Sequence, residues 1–189
     1  IGLPPFPLSL HPHYAARRAL PLRETWKGLD VYRPRFLHMP GTQGRFDAAL
    51  LARAILPLLR DIRRDFAFDV IDAEFFFPDG PAAHRLSATL GVPFSVKARG
   101  ADIHHWGMQG PTASQVQAAG KAAQGLLAVS SALKADMVSI GMPADRIRVH
   151  YTGVDLDIFK IVDRAGAKSA LGLGPEPLIV PTGALIPRK

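Results

Sequence analysis

Asp145-Arg-Ile-Arg-Val-His-Tyr-Thr-Gly-Val-Asp-Leu-Asp-Ile-Phe159 reads as a short apolar strand that runs straight into a Gly-containing turn and leaves through an acidic, aromatic-anchored exit. In an α/β protein ligands sit where strands end and the chain turns, so this is the pattern of a binding edge. Two further strand-like runs end the same way, in Glu74-Phe-Phe-Phe-Pro-Asp-Gly80 and in Lys97-Ala-Arg-Gly-Ala-Asp102. Three such edges in one chain point to a shared site.

Working outward, strands alternate with helical periodicity. The expected strands are Phe68–Glu74, Val92–Lys97, Gly125–Ser130 and Arg146–His150. The expected helices run from Asp47 to Ile62, from Asp79 to Leu90, over Pro111–Ala123, and from Ser130 or Ser131 to Gly141. Asp47 and Asp79 are candidate N-caps, Gly91 is a helix stop, and Pro57 predicts a kink or break. Short strands alternating with helices of ten or more residues argue for parallel βαβ units with right-handed crossovers. The near-continuous apolar run Gly125–Val129 fits a central strand buried on both faces. The fold class expected is α/β, a Rossmann-like parallel sheet with helices on both faces.

Residues 1–45 are rich in Pro and Gly, which favours looped or extended backbone. One strand fits there, Leu29–Phe36, with Pro34 arguing for an edge position. So long an irregular opening leads to the expectation that earlier strands precede Ile1. After Phe159 a loose stretch leads to a short helix ending at Leu171. Gly172–Pro177 has linker composition, and Leu178–Gly183 reads as a new strand. The organisation expected is a domain over 1–159, a linker over 160–177 and the opening of a second domain over 178–189.

The chain has 189 residues, 48% of them hydrophobic, which is enough for a substantial core and excludes a disordered polypeptide. No stretch approaches the roughly 20 apolar residues of a membrane span. The absence of Cys removes disulfides, thiolate metal sites and a Cys nucleophile, and is compatible with a cytoplasmic setting. A net charge of +7 fits an ordinary basic surface, an anionic substrate such as a phosphate, or peripheral contact with an anionic membrane at its inner face. Nucleic acid is a poor fit, because no basic helix carries interleaved aromatics.

Each candidate motif carries a plain reading beside a functional one. Arg99-Gly-Ala-Asp102 is either a turn with a surface ion pair, or a ligand edge where Arg99 donates to phosphate or sugar oxygens and Asp102 accepts from hydroxyls. Pro78-Asp-Gly80 is a helix cap, an anion-receiving helix start with free N–H groups from Gly80 to Ala82, or both. Thr152-Gly-Val-Asp155 is a tight turn or a binding loop, and Ser130 is better read as a cap than as a nucleophile. His104 and His105 follow Asp102 and are the histidines best placed for ligand contact near the Arg99 edge. No His pair has metal-site spacing, so no metal and no cofactor are expected.

Taken in order, Phe77-Pro-Asp-Gly80, Leu90-Gly-Val-Pro93, Arg99-Gly-Ala-Asp102, Ala128-Val-Ser130, Gly141-Met-Pro-Ala-Asp-Arg-Ile147 and Thr152-Gly-Val-Asp155 with Phe159 resemble glycosyltransferase family 4, also called group 1. Thr152 stands where that family usually has Asn. Thr182–Lys189 is similar to the family's Gly-Arg-Leu-x-x-x-Lys-Gly segment, with Ala184 in place of its Arg. The resemblance covers residues 70–189 well and 1–69 loosely. It implies the N-terminal half of a two-domain (GT-B) enzyme that transfers a hexose from a nucleotide-sugar to a glycan or glycolipid hydroxyl, retaining configuration, without a metal. It implies catalytic roles for Arg99, at a position where many members have His, and Asp102. Donor contacts would come from Ser130, Gly153 and the diphosphate-binding Lys189, and acceptor contacts from Pro78, Gly80 and His104. The alternative from another class is a non-catalytic Rossmann-like module that binds a phosphorylated ligand.

Overall fold

The structure is a computed structural model that describes residues 1–180 and Gly183. It divides into two compact units, Ile1–Thr152 and Gly153–Lys189. The first unit holds β1 (Gly2–Leu3), α1 (Ala15–Ala19), β2 (Arg23–Trp26), β3 (Leu29–Tyr32), β4 (Phe36–Leu37), α2 (Asp47–Asp65), β5 (Ile71–Ala73), α3 (Asp79–Leu90), β6 (Phe94–Ala98), α4 (Gly110–Ala122), β7 (Gly125–Ala128), α5 (Ser131–Ser139) and β8 (Ile147–Val149). The second holds α6 (Arg164–Ala170), capped by the Asp163 carboxylate, which accepts from Gly166 N–H at 2.6 Å.

The centre of the first unit is a four-stranded sheet in the order β5-β6-β7-β8, every pair parallel. This is the parallel α/β sheet flanked by helices that the alternation predicted. Its core forms where one parity of each strand meets the helices. Phe94, Val96, Ala98, Leu126, Ala128 and Ile147 pack with Phe76, Val116, Leu133 and Met137. Burying a large apolar side chain of this kind contributes roughly 1.5–3 kcal/mol. Gly80 lets α3 come close to β6, since a Cβ there would lie 3.2 Å from Val96 Cγ1 and 3.3 Å from Phe76 Cδ1.

Several local expectations are corrected. Along β7 burial alternates, with Leu126 and Ala128 buried and Leu127 only half-buried, so the strand is not sealed on both faces. The opposite parity carries Asp72, Ser95 and Arg148, whose polarity suits partial exposure. Helix α2 runs unbroken through Pro57, because Pro57 and Arg53 lie on its exposed side, where water can serve the carbonyl the ring leaves unpaired. Neither Asp47 nor Asp79 caps its helix by a side-chain bond. Asp47 is buried and pairs instead with His38, whose Nδ1 lies 2.9 Å and 3.0 Å from its two oxygens. Gly91 closes α3 in the left-handed region, φ 67°, as its position suggested.

The opening segment is more ordered than its composition implied. β2 and β3 form an antiparallel hairpin around Lys27–Gly28, both at positive φ, and β1 pairs in parallel with β4. The expected strand stops at Tyr32, before Pro34. Leu178–Val180 adopt no regular structure, and the rest of that expected strand lies outside the described residues apart from Gly183.

Candidate active site

Because β5, β6 and β7 are parallel, the residues following their C-terminal ends gather on one rim of the sheet. Pro78 and Gly80 follow β5, Arg99 and Asp102 follow β6, and Ser130 follows β7.

Asp102 ties two of these loops together. It is 0% exposed and opens a π-helical turn, Asp102–Trp106. One carboxylate oxygen accepts from Gly100 N–H at 2.7 Å and the other from Phe76 N–H at 2.8 Å, while Arg99 N–H is shared between them at 3.0 and 3.1 Å. A buried carboxylate needs such donors. Here they come from both the β5 and the β6 loops, so the side chain sets where both loops sit. Its acceptors are therefore turned to the backbone rather than to a ligand hydroxyl.

Arg99 extends the same bracing outward. Its Nε donates to the Glu74 carbonyl at 2.7 Å and its Nη2 to the Glu74 carboxylate. The Lys97 ammonium, nearly buried, lies 3.7 Å from the same carboxylate. The register of β5 and β6 pairs Ala73 with Val96, and one step further brings Glu74 beside Lys97. Two cations thus converge on a single carboxylate at the rim, which leaves an excess of positive charge suited to an anionic group. Glu74 and Lys97 were not singled out from the sequence, because their meeting depends on inter-strand register.

A second brace is aromatic. Phe77 stacks on Trp106, ring centroids 4.9 Å apart. Gly44, at φ +79°, presses against both, and a Cβ on it would sit 2.9 Å from Phe77 Cε1. Three loops therefore meet in one contact.

The remaining candidates fall as follows. The N–H groups of Gly80 and Ala82 do not form an anion cradle, since they donate to the Phe76 and Pro78 carbonyls at 2.9 and 3.2 Å, and Pro81 has no N–H. Gly80 serves the close approach of α3 to β6. Ser130 caps α5, its Oγ accepting from Leu133 N–H at 3.1 Å. His104 turns to α5, with Nε2 2.9 Å from Asp136 Oδ2, where it borders a hollow of about 240 Å³ with Met108 and Ser139. Asp79 is largely enclosed, and burial raises its carboxyl above the ordinary carboxylate range. In the second unit Gly153 is exposed, and the Asp155 carboxylate accepts from Asp157 and Ile158 N–H at 2.9 and 3.3 Å, forming a turn. Lys189 lies outside the described residues. Among the described residues, no group of three or more His, Asp or Glu side chains could hold a metal ion.

The sequence profile of Glycosyltransferase Family 4 matches residues 11–158. The chain belongs to this family. Over 92 residues it is 30% identical to a Bacillus subtilis (strain 168) protein named as the teichuronic acid biosynthesis glycosyltransferase TuaC, a match covering 48% of this chain and 23% of that one. Among solved structures, it is similar to Anabaena Alr3699/HepE in complex with UDP, with a TM-score of 0.53 and 16% identity over 73% of this chain and 36% of that one. The crystal structure of the same Anabaena protein with UDP and glucose superposes with a TM-score of 0.51 at 18% identity, with the same coverage. The chain thus spans about a quarter of its curated relative and about a third of the solved ones. Family membership accounts for the rim geometry, in which strand-end loops are presented on a Rossmann-like sheet.

Proposed function

We propose that this chain forms the acceptor side of an enzyme that moves a hexose from a nucleotide-sugar to a hydroxyl of a glycan or glycolipid, with retention at the anomeric carbon, in envelope polysaccharide or glycolipid assembly. The observation that carries the reading is the rim pinned by Asp102, with Lys97 and Arg99 converging at its mouth, in a chain that belongs to glycosyltransferase family 4. The UDP and glucose bound by the Anabaena protein, and the polymer named for the Bacillus protein, support a nucleotide-sugar donor and a polysaccharide product.

In this proposal residues 1–159 form the acceptor-side domain, 160–177 a linker, and 178–189 the opening of a donor-binding domain. As the sugar–oxygen bond breaks, its electron pair leaves on the diphosphate and positive charge grows on the anomeric carbon. Arg99 and Lys189 are proposed to stabilise the departing charge, the role a cation performs best in a pre-arranged, poorly hydrated site. The acceptor oxygen then bonds to the anomeric carbon on the face the diphosphate leaves, and a phosphate oxygen there can take its proton. Pro78, Gly80 and His104 shape the acceptor side, Ser130 and Gly153 the donor side, and Asp102 acts by holding the loops. As proposed, the reaction uses no metal ion and proceeds on the cytoplasmic side of the membrane.

The test is calorimetric titration of the protein, expressed from its complete gene, with UDP- and GDP-sugars, alongside an assay of sugar-nucleotide hydrolysis. Saturable heat with slow hydrolysis is the expected result. No heat with any donor and no hydrolysis would remove the transferase reading, and binding without turnover would favour a non-catalytic module.

A further inference from the structure

A groove leaves the rim and runs down the outer face of the helical layer. Helices α2, α3 and α4 all begin at the end of the sheet where β5 and β6 finish, because each leads back into a parallel strand. Pro81, Arg85 and Ala88 recur on α3, and Pro111, Ser114 and Ala118 on α4, at the three- and four-residue spacing that aligns one helical face. Between these stripes lies a hollow of about 430 Å³, and a second of about 510 Å³ continues it to Arg45, Phe46 and Gly110 at the helix starts. The two share Arg85, Ser114 and Gln115, and each falls within the roughly 300–1,000 Å³ of ordinary ligand clefts. The walls are set in advance. The Gln115 side-chain amide donates to the Arg45 carbonyl at 3.1 Å and to the Pro111 carbonyl at 2.9 Å, tying the loop before α2 to the first turn of α4. His84 is held by stacking on Phe94, ring centroids 5.7 Å apart.

The lining identifies the class of ligand. No carboxylate lines either hollow. Among the described residues the guanidinium groups of Arg45 and Arg85 make no ion pair and donate no hydrogen bond, so their donors are free for acid oxygens. The start of α4 adds partial positive charge beside them. Phe46, 46% exposed, presents its ring at the rim end of the groove, with the Arg45 guanidinium 5.8 Å from the ring centre. An apolar plate next to cations, a hydroxyl and an amide suits sugar rings that carry acid groups. The groove is concave and lined by the small Ala88, Ser114 and Ala118, and only Phe46 stands out of it, which offers a lipid surface little to insert. We propose that this groove binds an acidic oligosaccharide, the stretch of the acceptor chain behind its reacting end. Arg85 and Arg45 take the acid groups and Phe46 takes a sugar face. The assignment rests on the glycan-acceptor reading above and extends it to residues outside the rim.

The test is calorimetric titration of the protein expressed from its complete gene, without donor, with tetramers of glucuronic and galacturonic acid and with neutral maltotetraose. An acidic tetramer should bind about tenfold more tightly than the neutral one, and the preference should shrink as salt rises. Arg85→Ala and Arg45→Ala should each weaken the acidic tetramer about tenfold, since each removes a charge-assisted bond, and leave the neutral one nearly unchanged. Both side chains are exposed, so the circular dichroism spectrum should not change. Arg148→Ala removes the same charge from the opposite face of the sheet and should leave the affinity as it is. No binding of either acidic tetramer, equal binding of the neutral one, or unchanged affinity in both arginine variants overturns the proposal. So does inorganic phosphate that binds as tightly as the tetramers, or capture by phosphatidylglycerol vesicles that depends on these two arginines and that the tetramers do not displace. Donor binding is a separate titration. If it succeeds and this one fails, the groove assignment falls and the transferase reading stands; if it fails and the tetramers bind, the groove stands and the transferase reading falls.

Discussion

Replacing Asp102 by Ala should destabilise the protein more than any other single change at the rim. The substitution strips acceptors from Phe76, Arg99 and Gly100 N–H. The Phe76 bond is buried, and a buried donor left unmade costs about 1–3 kcal/mol. The other two are partly buried and can recruit water, at about 0.5–1 kcal/mol each. The total is about 3 kcal/mol, a large part of a typical stability of about 5–15 kcal/mol. With a urea slope of about 2 kcal/mol/M this lowers the unfolding midpoint by about 1.5 M. Asp102→Asn keeps one acceptor oxygen and should fall between the two, by about 1–2 kcal/mol. The assay is urea unfolding followed by far-ultraviolet circular dichroism, with hydrogen exchange of the Phe76 and Arg99 amides as a local measure. An Asp102→Ala midpoint within about 0.3 M of wild type, or unchanged protection of the Phe76 amide, would refute the view that this carboxylate holds the two loops.

Ser130→Ala should cost about 1 kcal/mol through loss of the α5 cap, and Ser130→Asp should restore it, as read by thermal unfolding. Loss of donor affinity in Ser130→Asp despite restored stability would mark a ligand role beyond the cap. Gly80→Val should destabilise by about 2 kcal/mol or more, because the added atoms meet Val96 and Phe76 across the α3–β6 contact. A thermal midpoint equal to wild type would show that contact to be loose. Asp79 has a folded-state pKa raised by burial above its ordinary 3.8, so the native state holds its proton to higher pH than the unfolded chain. Its contribution to stability therefore falls as pH rises from about 4 through the raised value, and the cost persists at neutral pH. Asp79→Asn should be more stable than wild type at pH 7, with the advantage shrinking as the pH approaches 4, measured by urea unfolding at both. A pH-independent difference would contradict this.

The strand–helix alternation between Asp47 and Val149 was legible because each element carries its own local signal. Apolar periodicity marks the helices, the left-handed Gly91 marks the end of α3, and the Ser130 hydroxyl marks the start of α5. What the pattern missed depends on residues distant in sequence. Asp47 looked like a cap until His38, folded back from beyond β4, took its carboxylate. Asp102 looked like a ligand-facing acid because nothing local shows that Phe76 N–H is its partner. The hairpin turn Lys27–Gly28 lacks the usual Asn-Gly or Asp-Gly signature and lies within a Pro-rich stretch, so no local signal marks it. Gly80 illustrates a different error. A glycine at a helix start suits both anion binding and tight packing, and only the hydrogen bonds of its neighbourhood separate the two.

The stacked pair of Phe77 and Trp106 gives the protein an optical reporter at its own rim. The chain has two tryptophans, and Trp26, half in solvent on the hairpin, can be replaced by Phe without touching the sheet. The remaining indole emission then comes from a ring of the β6 loop stacked on Phe77 of the β5 loop. Any molecule that enters the mouth and parts those loops would redden and quench that light, so occupancy could be followed without a label.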